Sequence, residues 1–464
     1  MSVENLISKA ALRRRGNPRY LAIADELGQF IQSGQLPTGE RLPPQRKLAH
    51  HLDVTPGTVG RAYAILEQRG MATARVGDGT YVRSPDAAVA PAQGLLSAGP
   101  IDLSHNVAIP TQETHALAVA MQDIIADAVA LKDVLRYQPE AGHLRHRQAG
   151  ARWLRRFGTS GDPARVMVTH GAQHGLSCVL RTLARPGDAV MTESLSYPGL
   201  QASARLMRLQ LVGVEMDAEG LLPHSLENVA RNIDAKLLYC SPSLHNPTNA
   251  SMSIKRRHAI ADIASRYNLL VIEDCVHAAA QAQPLPALST MLPNQSFLLS
   301  SFSKVLGPGL RVGYIEAAPQ WLSKFAASMR ADCWMVAPLL PEIASRWIET
   351  GVMEQLIEAQ RIAIAQRLAV AQELLADFVH QSHPESPLIW LPLPDHWRAG
   401  QFAAALRQVG VLVRTADHFA VGRTPAPQAV RISLNAAQSI AEIRAGLQIF
   451  LSLLHGTSTG QMEP

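Results

Sequence analysis

Cysteine is scarce in this 464-residue chain: Cys178, Cys240, Cys275 and Cys333 are widely spaced and form no CxxC pair. That spacing argues against a zinc site or a redox couple and for reduced thiols. No run of about 18 uncharged apolar residues is present, which removes a membrane-spanning helix from consideration. The opening MSVENLISKAALRRRG puts its basic run after the apolar residues and lacks a long apolar core before a small-residue cleavage site. A secretory signal is therefore not expected, and a cytoplasmic protein is. Charge of one sign is also missing from most of the chain. Residues 1–85 hold twelve Lys and Arg against seven Asp and Glu, whereas the remainder holds thirty-one of each, so the first segment carries the whole net charge of +5. A basic excess so concentrated is the footprint of a nucleic-acid-binding module, although a solvated basic face has the same composition.

At this length one hydrophobic core does not serve, and at least two domains are expected, the larger one mixed α/β. In the first segment Tyr20, Ile23, Ala24, Leu27, Phe30 and Ile31 recur at helical spacing and stop at Gly34. Leu36-Pro37-Thr38-Gly39-Glu40 reads as a turn, and a short helix is expected from about Pro44 to Leu52. A third begins near Thr55-Pro56, since Thr is a good N-cap and Pro suits the first helical position. After Gly70, residues 71–76, the bend Gly77-Asp78-Gly79 and Thr80-Tyr81-Val82 predict a hairpin. Helix, turn, helix and wing follow one another.

The stretch RLPPQRKLAHHLDVTPGTVGRAYAILEQRGMATARVGDGTYV resembles the winged helix-turn-helix of GntR-type regulators. That resemblance implies that the third helix enters the major groove of operator DNA and the wing approaches the minor groove. It places Arg46, Thr58, Arg61 and Gly77 near DNA, with Arg41 and Lys47 as further phosphate contacts. Arg can take a phosphate or a guanine edge bidentately, and Gly77 allows close backbone approach. The sequence departs from the family at Pro56 and Gly60, where arginine is common. The DNA-binding domain is taken as 17–85. The Ala-, Pro-, Ser- and Gly-rich stretch that follows is a linker, taken as 86–100.

Beyond it, residues 101–460 alternate short apolar runs with helical patterns: Val166–Val168, Ala189–Met191, Leu209–Val214, Lys236–Cys240, Leu269–Ile272 and Ser296–Leu299. This predicts a mainly parallel sheet covered by helices, with ligands at the carboxyl ends of strands. Three constellations fall at those ends. Ser300-Ser301-Phe302-Ser303-Lys304 leads to Gly307-Pro308-Gly309-Leu310-Arg311, a lysine in a small-residue loop with an arginine seven residues on. Such a pair suits an aldehyde and a dianionic phosphate, provided the amine is held neutral. Leu270-Val271-Ile272-Glu273-Asp274 ends a strand in carboxylates, and Ser241-Pro242-Ser243-Leu244-His245-Asn246-Pro247-Thr248-Asn249 follows another strand.

Together these resemble the aminotransferase-like fold-type I proteins that bind pyridoxal 5′-phosphate, with a smaller C-terminal α/β subdomain. The resemblance implies that Lys304 is the Schiff-base lysine, that Asp274 bonds the pyridine nitrogen and that Asn246 bonds the ring oxygen. It implies a stacking Tyr197, a phosphate cup of Ala172, Gln173, Ser301, Ser303 and Arg311, and a Tyr137 reaching the phosphate of the neighbouring subunit in a homodimer. Arg431, in Val430-Arg431-Ile432-Ser433-Leu434, would grip the carboxylate of an effector. The family usually has a tyrosine two or three residues after the aspartate. Here Val276 and His277 stand there, with His277 a replacement or a structural residue, and Asn249 stands in place of glycine.

The order of the two resemblances is that of the MocR subfamily of GntR-type regulators. It implies a regulator whose aminotransferase-like domain senses an amine, an amino acid or pyridoxal phosphate itself and alters operator binding. A working aminotransferase with an accessory DNA-binding domain, and a regulator with a vestigial cofactor site, are the alternatives.

Overall fold

The computed structural model describes residues 18–33, 35–37, 39–69, 71–75, 79–82, 99–422 and 425–456. Gly77 and residues 86–98 of the expected linker lie outside the described residues.

The first module is three helices and a hairpin around one core containing Ile23, Leu27, Leu48, Val59 and Leu66. Helix α1 (Arg19–Gln32) turns its apolar stripe inward. Helix α2 (Gln45–Leu52) stops at Asp53, whose φ of 56° is a left-handed conformation that Asp tolerates. Helix α3 (Pro56–Gln68) opens on its proline, and the Thr55 side chain accepts from the Thr58 amide at 3.3 Å. Tyr63 OH donates to the Pro43 carbonyl at 2.8 Å and pins α3 to the stretch before α2. Strands β1 (Ala72–Arg75) and β2 (Gly79–Val82) pair antiparallel, with Thr73 opposite Tyr81. Leu42 and Val82 amides then donate to Thr80 and Glu40 carbonyls at 2.8 Å, fastening the wing to the turn between α1 and α2.

In the large module β3 (Ile101–Asp102) joins the smaller subdomain, and β7 (Met216–Asp217) and β8 (Gly220–Leu221) form a side hairpin. The main sheet contains β4 (Val166–Thr169), β5 (Ala189–Glu193), β6 (Gln210–Val214), β9 (Ala235–Cys240), β10 (Leu270–Asp274), β11 (Ser296–Ser301) and β12 (Gly313–Glu316). Its order is β4-β12-β11-β10-β9-β5-β6. Every apolar run read as a strand lies in it. β12 is the one strand antiparallel to its neighbours, which lets the chain return beside β4 directly after the lysine loop. All residues of β4 and β11 are buried, because helices cover both faces.

The C-terminal subdomain is an antiparallel sheet of β13 (Gln381–Ser382), β14 (Leu388–Pro392), β16 (Arg414–Thr415) and β17 (Ala429–Ser433) in the order β13-β14-β17-β16. Strand β15 (Val411–Leu412) pairs in parallel with β3. Helices Ala399–Gln408 and Ile440–His455 close its core on Leu391, Phe402, Ile432 and Phe450. Among the described residues no helix is long and apolar enough to cross a membrane.

One close approach positions the site. A Cβ on Gly313 would lie 2.7 Å from the Gly171 carbonyl carbon and 2.8 Å from the Ser300 oxygen, both backbone atoms that cannot step aside. Gly171 begins helix α4 (Gly171–Leu183). Gly313→Ala is expected to cost about 1–3 kcal/mol, read as a lower urea midpoint by tryptophan fluorescence. Gly309→Ala, with nothing within 4 Å of the added carbon, should leave the midpoint unchanged.

Candidate functional site

Five strands of the main sheet end at one edge: β4 leads to α4, β5 to Tyr197, β9 to Asn246, β10 is closed by Asp274 and β11 leads to Lys304. This is where an open α/β sheet presents its ligands. Lys304 lies in the turn after β11 and donates from Nζ to the Asn106 carbonyl at 2.6 Å. Burial pushes its amine down to about 8; nearby Arg431 and Arg311 add to the fall and Asp274 opposes it. Such an amine is mostly protonated near neutral pH but supplies a far larger neutral fraction than an ordinary lysine, and that fraction can attack a carbonyl carbon.

Asp274 is raised above the ordinary carboxylate range by burial, against the pull of its hydrogen bonds and of Lys304. Tyr239 OH donates to its Oδ2 at 2.6 Å, and the Val276 amide to its Oδ1 at 2.9 Å. Tyr197 flanks Asp274 and Arg311 electrostatically, and burial pushes its phenol up to about 12. His277 is held neutral, down to about 3, first by burial and then by Lys304 and Arg431.

The Arg311 guanidinium donates to the His170 carbonyl at 3.1 Å, just before α4. Its Nη2 is 3.0 Å from where a Cβ on Gly171 would stand, and Gly171 takes a left-handed φ of 75°, so a side chain there would be strained and would press on the guanidinium. Arg311 itself takes a φ of 49°. The first amides of α4, from Gly171, Ala172 and Gln173, have no acceptor within the helix and carry the positive end of its dipole. A cation and a helix terminus thus meet in an anion cup. The Gln173 side chain turns elsewhere, donating to Gly199 O at 3.2 Å and Ser203 Oγ at 2.9 Å. Ser301 is buried at the end of β11 and Ser303 sits in the turn beyond; the neighbouring Ser300 hydroxyl accepts from Trp153.

Arg431 is buried in β17 and pulled down to about 9, first by burial and then by Arg414. It donates from Nη1 to Asn246 Oδ1 at 2.9 Å and from Nη2 to the Ser104 carbonyl, and its Cζ lies 5.2 Å from the centre of the Phe419 ring. Tyr137 is not drawn to this cluster: it is 82% exposed, with its ring 6.1 Å from that of Trp334.

Sequence reasoning missed the residues that fix the loops. Buried Arg257 donates to the carbonyls of Met252, Pro242 and Pro286 and to Ser243 Oγ, bracing the base of the Asn246 loop. His245 Nε2 donates to Leu195 O at 2.9 Å and Nδ1 accepts from Thr248 at 2.8 Å, so Asn246 and Tyr197 are held by one imidazole. Asn249 keeps the left-handed φ that glycine would supply, at 61°, and its amide bonds Leu388 O, Gln381 O and Ser386 Oγ of the smaller subdomain.

In the first module Arg46, Lys47 and Arg61 are exposed, and the Arg41 guanidinium lies over Gly79 of β2. Thr58 shares a 2.9 Å hydroxyl bond with Thr55 at the start of α3. Among the described side chains of α3, those of Pro56, Gly57, Arg61 and Ala64 are exposed, and Arg61 is the long one.

A winged DNA-binding head joined to a fold-type I sheet with a desolvated lysine at its strand ends defines the class of this protein. Residues 99–450 match Aminotransferase class I and II, and residues 19–82 match Bacterial regulatory proteins, gntR family. The chain is 31% identical over 447 residues to the uncharacterized HTH-type transcriptional regulator YdeF of Bacillus subtilis, covering 96% of each. It is 26% identical to the vitamin B6 salvage pathway transcriptional repressor PtsJ of Salmonella typhimurium, over 86% of this chain and 90% of that one. An archaeal alanine:glyoxylate aminotransferase has the same fold, with a TM-score of 0.70 at 23% identity over 77% of this chain and 91% of its own. The chain belongs to the GntR-type transcriptional regulators that carry an aminotransferase class I and II domain, the MocR architecture. Pyridoxal 5′-phosphate is the cofactor of that domain.

Tyr239→Phe leaves the buried Asp274 carboxylate one donor short. A loss of about 1.5–3 kcal/mol near pH 7 is expected, measured by urea unfolding of the cofactor-free chain. The hydrogen bond favours the charged carboxylate, so the loss should shrink as pH falls and Asp274 protonates in both proteins.

Proposed function

We propose that this protein is a cytoplasmic, homodimeric regulator that grips operator DNA through its winged head and adjusts that grip when an amine, an amino acid or pyridoxal phosphate itself binds the lysine site. The observation that carries this reading is the company Lys304 keeps: a hydrogen-bonded carboxylate, two guanidiniums and a helix terminus within one strand-end cluster. The donor set fits pyridoxal phosphate. It offers a depressed amine for an aldehyde, a carboxylate for a ring nitrogen, and a cation beside free helix amides for a dianion. Among the described residues, buried Asn106 Nδ2 and Arg431 Nε also have no protein partner, as suits a site that takes polar ligands.

When bound, the group supplies an electrophilic carbon and an electron-withdrawing ring. Lys304 would hold it covalently, and Asp274, oriented by Tyr239 and the Val276 amide, would keep a proton on the ring nitrogen. Asn246 spends Oδ1 on Arg431 and keeps Nδ2 for the ring oxygen. His277, neutral and beside Lys304, stands where relatives carry tyrosine. Tyr197 would stack on the ring. The amides of Ala172 and Gln173, with Ser301, Ser303 and Arg311, would hold the phosphate. Arg431 would orient an effector carboxylate. PtsJ, by its name a regulator of vitamin B6 salvage, supports a ligand of B6 type.

The exposed apolar residues Ile125, Val129, Leu131, Leu135, Tyr137 and Trp334 support a second copy covering this face. Tyr137 would then serve the partner's phosphate. In the head, Arg61 would read a base edge or phosphate from α3, with Arg41, Arg46, Lys47 and Thr58 contacting the backbone.

With pyridoxal phosphate added, wild type is expected to gain a visible absorbance band that survives gel filtration, and Lys304→Ala to lack it while still binding DNA. The rate of uptake should rise about tenfold per pH unit below about 8 and level above it, since the neutral amine is the reactive form. Arg61→Ala should weaken binding to a DNA fragment selected from random sequence by about 10- to 100-fold, measured by fluorescence anisotropy, with cofactor uptake unchanged.

A further inference from the structure

The first stretch of the large module, Ile101–Ile109, follows directly on residues 83–100 that lead from the DNA-binding head. It is anchored at both ends. Ile101 and Leu103 amides donate to Gly410 and Leu412 carbonyls at 2.7 and 2.9 Å, and the Ser433 amide donates to the Leu103 carbonyl at 2.8 Å. At the far end Ile109 exchanges hydrogen bonds with the buried Gln360 amide. Between the anchors the Asp102 carboxylate bends the chain, accepting from the Ser104 amide at 2.7 Å, Ser104 Oγ at 2.8 Å and the His105 amide at 3.2 Å. The His105 ring bridges Asp102 Oδ2 at 2.6 Å and Arg414 Nη2 at 3.3 Å.

What lies between is held by the ligand site itself. The Ser104 carbonyl accepts from Arg431 Nη2, the Asn106 carbonyl from Lys304 Nζ at 2.6 Å and the Val107 carbonyl from Asn435 Nδ2 at 2.7 Å. Two of these three donors are the groups that a carbonyl-bearing cofactor and a carboxylate-bearing effector would need.

We propose that Ser104–Val107 is a strap that closes the ligand-free site and is released when ligand takes its donors, carrying occupancy of the site to the chain that leads to the DNA-binding head. This rests on the reading of Lys304 and Arg431 given above. Ligand and strap compete for the same donors. A neutral Lys304 amine that condensed with an aldehyde would give both its protons to the carbonyl oxygen, which would leave as water, and would no longer hold the Asn106 carbonyl as an ammonium does; a guanidinium edge facing a carboxylate would no longer face Ser104. Each ligand removes one inward anchor, while β3 and Ile109 keep the strap tethered. The freed carbonyls must find new partners, and turning toward water loosens the strap. Because the strap and residues 83–100 are one continuous chain, its displacement is delivered at the end from which the chain runs back to the head. A ligand that prefers the released strap thereby shifts the balance of head arrangements.

The test is hydrogen–deuterium exchange of the full-length chain before and after saturation with pyridoxal phosphate, with uptake followed by the visible band. Peptides covering residues 101–109 are expected to exchange at least tenfold faster once the band has formed, with helix Ile440–His455 unchanged. Asn435→Ala removes the third anchor without touching Lys304 or Arg431, and should speed exchange of the same peptides in the ligand-free chain. A band with unchanged or slower exchange at residues 101–109 would overturn the strap and leave the cofactor reading standing. No band in the wild-type chain would overturn both.

Discussion

A lysine amine taken out of water is the constraint on which the rest of this structure depends. An ammonium buried without compensation is costly, and Lys304 meets that cost in two ways: its proton is weakened, and what remains is shared with the Asn106 carbonyl. Both responses have consequences. The weakened proton makes the nitrogen a nucleophile, and the shared one ties the lysine to the first stretch of the large module, which follows the DNA-binding head in the chain. Arg431 repeats the pattern from β17 of the smaller subdomain, buried and held by Asn246 and the Ser104 carbonyl.

Such groups stay in place only if the loops bearing them are rigid, and the molecule commits several buried polar residues to that end. Arg257 fastens the base of the Asn246 loop, His245 ties that loop to the one carrying Tyr197, and Tyr239 orients Asp274. Asn249 binds the same loop to the C-terminal subdomain, so the strands that supply Arg431 and those that supply Asn246 share one framework. Asparagine, standing where the family usually has glycine, adds these contacts and is one of the few side chains that tolerate the left-handed φ.

Much of this was legible in the sequence because the signals are local. The Lys304 loop, the strand ending at Asp274 and the Thr55-Pro56 helix start each announce themselves within fifteen residues. The apolar runs located six of the seven strands of the main sheet, and its mainly parallel character followed from their alternation with helices. β12 could not be assigned as antiparallel, because its direction is set by the short return after Arg311 and by the glycine contact with Gly171. Tyr239 reads as one more apolar strand residue until β10 is placed beside it, 35 positions on. Arg257 looks like an exposed helical arginine, and the strap joins residues roughly 200 to 330 apart. No spacing rule reaches contacts of that kind.

The central claim is that cofactor site and DNA-binding head form one linked system, and linkage is reciprocal. The most direct measurement is the affinity of the full-length chain for pyridoxal phosphate, with and without saturating operator DNA, set beside its affinity for DNA with and without the cofactor. The account predicts the same factor in both directions, about fivefold or more. An affinity for pyridoxal phosphate that operator DNA leaves unchanged would contradict it.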